Sequence, residues 1–489
     1  MFRGQVRGSK NALQPQCLVP KGDKHMRILV INISLRPMPA RRSLPVGLAY
    51  VVSAMKRNGF KFDMLDLDAR PQSKEETEEF LRTNQYDVVA MGCIVTGYKL
   101  VKWLSATIKE VYPSTTVIVG NTVAQSIPDM LLNRTKADIA VMGEADETIV
   151  ELLRQLSVSQ DLSRIKGICY RRDGVIIRNA KRPLIENIDM IPTPDWDLFD
   201  VEFYIQSQAE AFASYLPSSV SENARVMPIN TARGCPHQCT FCFHAFRGEK
   251  YRWRSTGSIV SEMAHLKEKY GVNIITFNDE LTFHSIRQAS AFADTLLKSG
   301  LRMYWTASCR SGLFSKDEHV DVARKLKESG CLWLGFSLES ADSGILEWMN
   351  KHTGPDEFSR QVELLRKADI TSFTSIVLGY PNETEATIKS TIDCCIVNGI
   401  YPSAGYLLPQ PGSPMYDYAR EQGLIGDEEE YLLSMGDRQD LRLNMTRIPD
   451  QELENIVHRE LDRCSRELGL TLSDGALLKT GIYKKTKKQ

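Results

Sequence analysis

No apolar run in this 489-residue sequence approaches the roughly 20 residues needed to span a bilayer; stretches such as Ile28 to Ile31 and Ile139 to Met142 are strand-sized. That excludes a helical membrane span. Neither sign of charge is in excess. Lys+Arg and Asp+Glu both number 61, so a chain-wide electrostatic case for nucleic-acid binding is absent. The first 25 residues carry Arg3, Arg7, Lys10, Lys21 and Lys24 but lack an apolar core, so they do not read as a secretory signal. Histidine is scarce, and only His25 precedes His237. The eleven cysteines are odd in number, which fits a reducing, cytoplasmic compartment better than a disulfide scaffold. With 42% hydrophobic and 25% charged residues there is ample material for several cores, about three domains' worth.

From Met26 short β-branched runs recur at about 27–32, 61–66, 87–92, 116–120 and 138–142. Amphipathic stretches separate them at about 45–59, 97–111 and 126–133, and another begins near Asp146. Strands alternating with helices indicate a doubly wound parallel sheet whose ligands sit at the strand C-terminal edge. Residues 166–181 read as a hairpin turning at Asp173-Gly174, and the Pro- and acid-rich run Ile191 to Asp200 reads as a linker. Residues 204–225 carry no readable pattern. A second alternation follows, with strands expected at 227–231, 273–277, 303–307, 332–337, 372–378 and 403–408. Six βα units suit an open, partial TIM-type barrel with its reactive face again at the strand C-terminal edge. The expected division is a disordered extension (1–25), a Rossmann-like domain (26–160), a hairpin and linker (161–224), the partial barrel (225–420) and a small helical C-terminal region with a basic tail (421–489). The fold class is α/β.

One group of cysteines separates itself by spacing. Residues 231–244 read TARGCPHQCTFCFH, so Cys235, Cys239 and Cys242 fall in one loop after the first strand of the second domain. Thiolates at this spacing favour zinc or an iron–sulfur cluster. A zinc site wants a fourth ligand, which His237 or His244 could supply; a cubane could leave one iron open; buried structural thiols are the plain alternative.

The motif resembles the signature of the radical S-adenosylmethionine (SAM) enzymes, C-x3-C-x-aromatic-C, with Phe241 in the aromatic slot. The resemblance implies a [4Fe-4S] cluster on the three cysteines, SAM chelated at the open iron, and its reductive cleavage to a 5′-deoxyadenosyl radical. It also implies SAM contacts. Asp279 and Glu280 in FNDELTF resemble the acidic segment that meets the SAM amino group, Arg310 in TASCR a partner for its carboxylate, and Glu339 and Ser340 in GFSLES the Glu-Ser segment. LGYPNET, with Gly379, Pro381 and Glu383, and PQPGSPMYD resemble the turns after the fifth and sixth strands. Cys309, Cys331, Cys394 and Cys395 are expected to pack, Trp305 and Trp333 to fill the barrel, and Arg252 and Arg254 to be solvated.

The first domain is similar to that of the cobalamin-binding radical SAM class, through LPVGLAYVVSAMKRNGF (Leu44 to Phe60) and VMGEADETIVELL (Val141 to Leu153). Candidate cobalamin contacts are Ser34, Leu35, Thr96, Gly97, Gly120 and Gly143. Two departures stand out. The D-x-H-x-x-G cobalt ligand is absent, so cobalamin would bind without a domain histidine. Asn121 follows Gly120 where the family often has a second glycine, and Asn tolerates positive φ better than most residues. The resemblance implies C-methylation of an unactivated carbon of a small molecule via methylcobalamin, with a flavodoxin- or ferredoxin-type electron donor. Alternatives are a non-methylating oxidative cyclase or rearranging enzyme, and a non-catalytic iron–sulfur or cobalamin sensor. A methylthiotransferase would need three further cluster cysteines in the first domain, where only Cys93 lies on the ligand edge.

Overall fold

The computed structural model describes residues 26–35, 42–159, 161–436 and 440–478. The expected N-terminal extension and basic tail lie outside the described residues. Strands β1 (Ile28–Asn32), β2 (Asp63–Asp66), β3 (Val88–Gly92), β4 (Thr116–Gly120), β5 (Ile139–Val141), β6 (Ile168–Arg172) and β7 (Val175–Arg178) form one sheet in the order β2-β1-β3-β4-β5-β6-β7. The first five run parallel. β1, β3 and β4 are near-continuous apolar runs because helices cover both faces. Their register aligns Asn32 with Gly92 and Gly92 with Gly120. The strand ends therefore form one even edge, and the order reverses between β1 and β3.

Asp173 and Gly174 turn the β6–β7 hairpin with φ of +52° and +79°, as a two-residue turn of this hand requires. The hairpin is not part of a separate linker region. β6 pairs antiparallel with β5 and buries Ile168 and Tyr170, so the first domain runs through Arg178 rather than ending near residue 160. The apolar edge of β5 needs that cover.

The second domain holds β8 (Val226–Ile229), a short ribbon of β9 (Ala232–Arg233) and β10 (Arg252–Trp253), then β11 (Ile274–Phe277), β12 (Tyr304–Ser308), β13 (Cys331–Gly335), β14 (Thr371–Phe373), β15 (Ser375–Leu378) and β16 (Ser403–Tyr406). β8, β11, β12, β13 and β14 form one parallel sheet, and β15 pairs with β16. The expected strand 372–378 is broken at Thr374, whose Oγ1 accepts from the Leu338 N–H at 2.9 Å in place of a ladder bond. A bridge between Glu339 and Ile376 carries the curve onward, giving an open barrel of six βα units. Trp333 is half-buried against Phe212, with ring centroids 5.2 Å apart. Trp305 does not fill the barrel: it packs edge-on to Phe292 of the helix Ile286–Ser299, 5.2 Å away, in the layer between sheet and helices. The register puts Trp305 beside Ile275, on the face opposite Trp333.

The patternless 204–225 segment begins in the helix Val201–Phe212, capped by Asp200, and goes on to a short helix at Ser218–Ser221. Tyr204 donates to Asp66 at 3.0 Å and accepts from Asn32 at 3.1 Å, while Phe212 reaches the barrel. One helix thus touches both domains with its buried side, while Glu202, Gln206 and Glu210 stay exposed on the other. The helix Asp450–Glu467 buries Leu453, Ile456, Val457, Leu461 and Cys464, a stripe at helical spacing. Glu429 accepts from Tyr98 at 2.8 Å and docks the C-terminal region on the first domain. Among the described residues no helix is long and apolar enough to cross a membrane.

Candidate functional site

Between Gly234 and Lys250 the chain has neither strand nor helix, and it hangs from the β9–β10 ribbon. This loop carries Cys235, Cys239 and Cys242, all free and half-buried. The Cys242 N–H donates to the Cys239 carbonyl at 3.2 Å. Thr240 anchors the loop. Its N–H donates to Met349 O at 3.0 Å, its hydroxyl to Trp348 O at 2.7 Å, and its carbonyl accepts from Met415 N at 3.1 Å. Phe241 packs into the apolar cluster that holds Tyr380, Leu407 and Met415. Phe243 lies over Gly412, where a Cβ would come within 2.5 Å of its ring. The Pro-Gly-Ser-Pro turn after β16 is therefore a seat for the cysteine loop.

Burial pushes all three thiols up, Cys242 to about 12, and Cys242 also feels charge on Cys239 and Cys235. A set of mutually repelling, desolvated thiolates needs a cationic centre to hold it. The donor set fits an iron–sulfur cluster. The zinc alternative loses its proposed fourth ligands. Nε2 of His237 is 2.9 Å from Nη1 of Arg310, and His244 faces a cavity between the domains. Among the described residues no three His, Cys, Asp or Glu side chains are gathered to hold a single ion.

Arg310 follows β12. Among the described residues it has no carboxylate partner, although burial pushes its pKa down and the neighbouring thiols push it up. His237 is held at about 4 by burial, then by Arg310. Glu339 is buried at φ +63° and pairs with Lys351 at 3.3 Å. Ser340 is not presented to the mouth: its hydroxyl is 3.4 Å from Thr391 Oγ1 and accepts from the Asp342 N–H at the start of a helix. Asp279 likewise offers no free carboxylate. It accepts from the backbone of Thr231 (2.7 Å) and Ala232 (3.0 Å) and from the hydroxyls of Thr231 (2.6 Å) and Thr282 (3.1 Å). Burial outweighs those bonds and lifts it to about 6. Asp279 fixes the entry to β9, and Glu280 beside it carries the carboxylate that reaches the interdomain cavity.

Gly379, at φ +101°, donates its N–H to Glu383 Oε2 at 3.1 Å, and Thr387 donates to Oε1 at 2.6 Å. Burial raises the Glu383 carboxyl to about 7. A folded-state value above the unfolded one favours the protonated native form. The stabilisation is full below about pH 4.5 and is lost as pH rises through 7. Denaturation at a series of pH values is expected to show that loss, on the order of 2–3 kcal/mol, in the wild type. It should be absent in Glu383→Gln, which still accepts from Gly379.

A cavity of about 490 Å³ lies between the domains. Gly92, Gly120, Asn121 and Gly143 form its rim on the first sheet, and Val30, Ala90, Ile118 and Val141 its depth. Phe243, His244, Phe246 and Glu280 close it from the barrel side. A Cβ at Gly120 or Gly143 would meet no atom within 4 Å, so both open onto free space. Two residues of this rim take a positive φ, Asn121 at +67° and Gly143 at +73°, and Asn121 Oδ1 accepts from the Thr122 N–H at 2.6 Å. An apolar slot in the strand edge suits a flat cofactor tail, and the residues fit cobalamin. The other expected contacts do not line the cavity. Ser34 accepts from Arg42 at 2.8 Å, Thr96 lies in a 3-10 turn, and Gly97 sits beneath Leu35 and Cys93. Gly97 is buried by the turn after β3, whereas Ser34, after β1, and Thr96 are half-buried away from the cavity, which sequence position alone does not reveal.

Arg252 and Arg254 are buried, not solvated. Arg254 pairs with Glu262, and Arg252 donates to Glu144 at 2.8 Å. Arg233 joins Glu144 at 2.7 Å and Asp146 at 2.9 Å, with its guanidinium over the Tyr50 ring. The Gly-Glu-Ala-Asp-Glu segment of the first domain is thus bolted to the ribbon that carries the cysteine loop. Sequence reasoning missed this latch. The available signal was the Arg-Trp-Arg alternation, which in a ribbon sends both arginines to one face. As expected, Cys309, Cys331 and Cys395 are buried, and Cys394 is partly so.

Residues 229–395 match the radical SAM superfamily, and residues 41–153 match the B12 binding domain. An uncharacterised methyltransferase of Pyrococcus horikoshii is 26% identical over 82% of this chain and 85% of its own. The anaerobic magnesium-protoporphyrin IX monomethyl ester cyclase of Cereibacter sphaeroides is 25% identical over 79% of this chain and 62% of its own. The radical SAM methyltransferase TsrM of Kitasatospora setae, solved with tryptophan and a SAM analogue, shares the fold. Its TM-score is 0.64 at 18% identity, over 82% of this chain and 77% of that one.

Proposed function

The chain belongs to the cobalamin-binding radical SAM proteins, and from that premise we propose that it methylates an unactivated carbon of a small molecule. The observation that carries this reading is the single cavity walled on one side by the B12-type strand edge and on the other by the cysteine loop of the barrel. When bound, the cluster and SAM supply a carbon radical and cobalamin supplies a methyl group. The chain's own residues do the placing. Cys235, Cys239 and Cys242 hold the cluster. Arg310, free of any described carboxylate partner, takes the SAM carboxylate as a fork of N–H donors. Glu280 and Glu339 face the cationic amino end, with the Phe241 and Gly379 backbones shaping the wall. Gly120 and Gly143 admit the cobalamin tail. A flavodoxin- or ferredoxin-type donor supplies the electron.

The relatives named as cyclases support a second reading, oxidative ring closure without methyl transfer. Product analysis with deuterated-methyl SAM separates the two. A methylated product is expected, with one S-adenosylhomocysteine and one 5′-deoxyadenosine formed per turnover. Turnover with 5′-deoxyadenosine alone would favour the cyclase reading, and failure to cleave SAM would favour a sensor.

A further inference from the structure

His244 is used neither by the cluster nor by the latch. It lies in Phe-His-Ala-Phe, directly after the third cysteine, and its carbonyl accepts from Arg247 N at 3.0 Å, which fixes the backbone. The residue is 9% exposed and lines the interdomain cavity. Its Nδ1 is buried without a hydrogen-bond partner among the described residues. Neither ring nitrogen of His244 has a hydrogen-bond partner among the described residues, and an unpaired imidazole this buried is costly, so its retention on a cavity wall points to a ligand that pairs with the ring.

The opposite wall is the strand edge of the B12-type domain, with Gly120 and Gly143 open to the same space. We propose that His244 is a positioning residue for cobalamin, hydrogen-bonding a carboxamide arm of the corrin from the barrel side. The inference rests on the cobalamin reading above. A primary carboxamide offers both N–H donors and a carbonyl acceptor, matching an imidazole with one of each. Phe243 and Phe246 line the same cavity with apolar surface suited to the corrin's methyl-bearing edge. Because His244 is two residues from Cys242, the loop that holds the cluster would also set the height of the corrin. The separation of the two cofactors would then be fixed by one short segment.

The test titrates hydroxocobalamin into anaerobically reconstituted full-length protein by equilibrium dialysis, with iron per chain measured alongside. His244→Leu fills the space but cannot pair; it is expected to bind about tenfold more weakly than wild type with unchanged iron. His244→Gln restores a donor and an acceptor and is expected within about threefold of wild type. If Leu is not accommodated and iron is lost, His244→Ala replaces it, with the same comparison to Gln. Leu or Ala binding as tightly as wild type overturns the proposal while leaving the cobalamin reading intact. So does unchanged cobalamin affinity with a raised substrate KM, which would assign the imidazole to substrate. A wild-type chain that binds no cobalamin overturns the reading itself.

Discussion

Replacing Cys235, Cys239 or Cys242 with Ala is expected to lower iron from about four per chain to near none and to take 5′-deoxyadenosine formation to background. The reason is local. These three thiols share one loop, and Cys309, the buried cysteine after β12, lies outside that loop and is hydrogen-bonded by Gln361, so it cannot substitute. The fold should persist. The cysteines are half-buried in a segment without strand or helix, and the loop is pinned by Thr240, Phe241 and Phe243 rather than by sulfur. Thermal unfolding of each variant is expected within about 1 kcal/mol of the metal-free wild type. Retained iron and SAM cleavage in any single variant would remove the cluster from this loop.

Glu144→Ala is expected to destabilise the protein by about 3–5 kcal/mol, the usual cost of leaving a buried charge without its partner. The Glu144 and Arg252 side chains are 2% and 4% exposed, so water cannot replace the lost carboxylate. Glu144 Oε2 also accepts from Ile185 N at 2.7 Å, and Arg252 donates to Ile185 O at 2.7 Å, so the linker loses its tie as well. Glu144→Gln keeps the shape and the Ile185 bond and should cost less. Pairing Glu144→Leu with Arg252→Met removes both charges and should recover much of the loss. Denaturant unfolding of the three variants provides the check, and equal stability of Glu144→Ala and wild type would mean that the latch carries no load. The effect should extend to function, because the latch sets the B12-type edge against the cysteine loop. Glu144→Gln is expected to weaken coupling of SAM cleavage to product before it weakens SAM cleavage itself.

Much of the fold was legible because its signals are local. β4 at Thr116–Gly120 occupies the expected residues, and most other expected elements differ by one to four residues at an end. Apolar runs and helical stripes report burial one element at a time. The cysteine loop was legible because all three ligands lie within eight residues. The failures share a cause. Asp279 reads as a free carboxylate until the backbone of Thr231 and Ala232 folds over it. Ser34, Thr96 and Gly97 sit on the ligand edge in sequence but do not line the cavity; Gly97 is buried, and Ser34 and Thr96 are half-buried elsewhere. Trp305 and Trp333 each lie near the middle of a strand, and only the shifted register between β12 and β13 assigns their faces.

By itself the sequence determined the class of chemistry: three close sulfurs after a strand, followed by a series of strand-end segments in fixed order. Those depend on spacing along the chain, which folding does not alter. Only the tertiary structure decided which acids remain free to meet a cofactor, how the hairpin completes the first sheet, and that Glu144 and Arg252 join two domains across 108 residues. Such contacts are set by how two sheets approach, and their cost or benefit depends on the water they exclude. A single strand or helix does not contain that quantity.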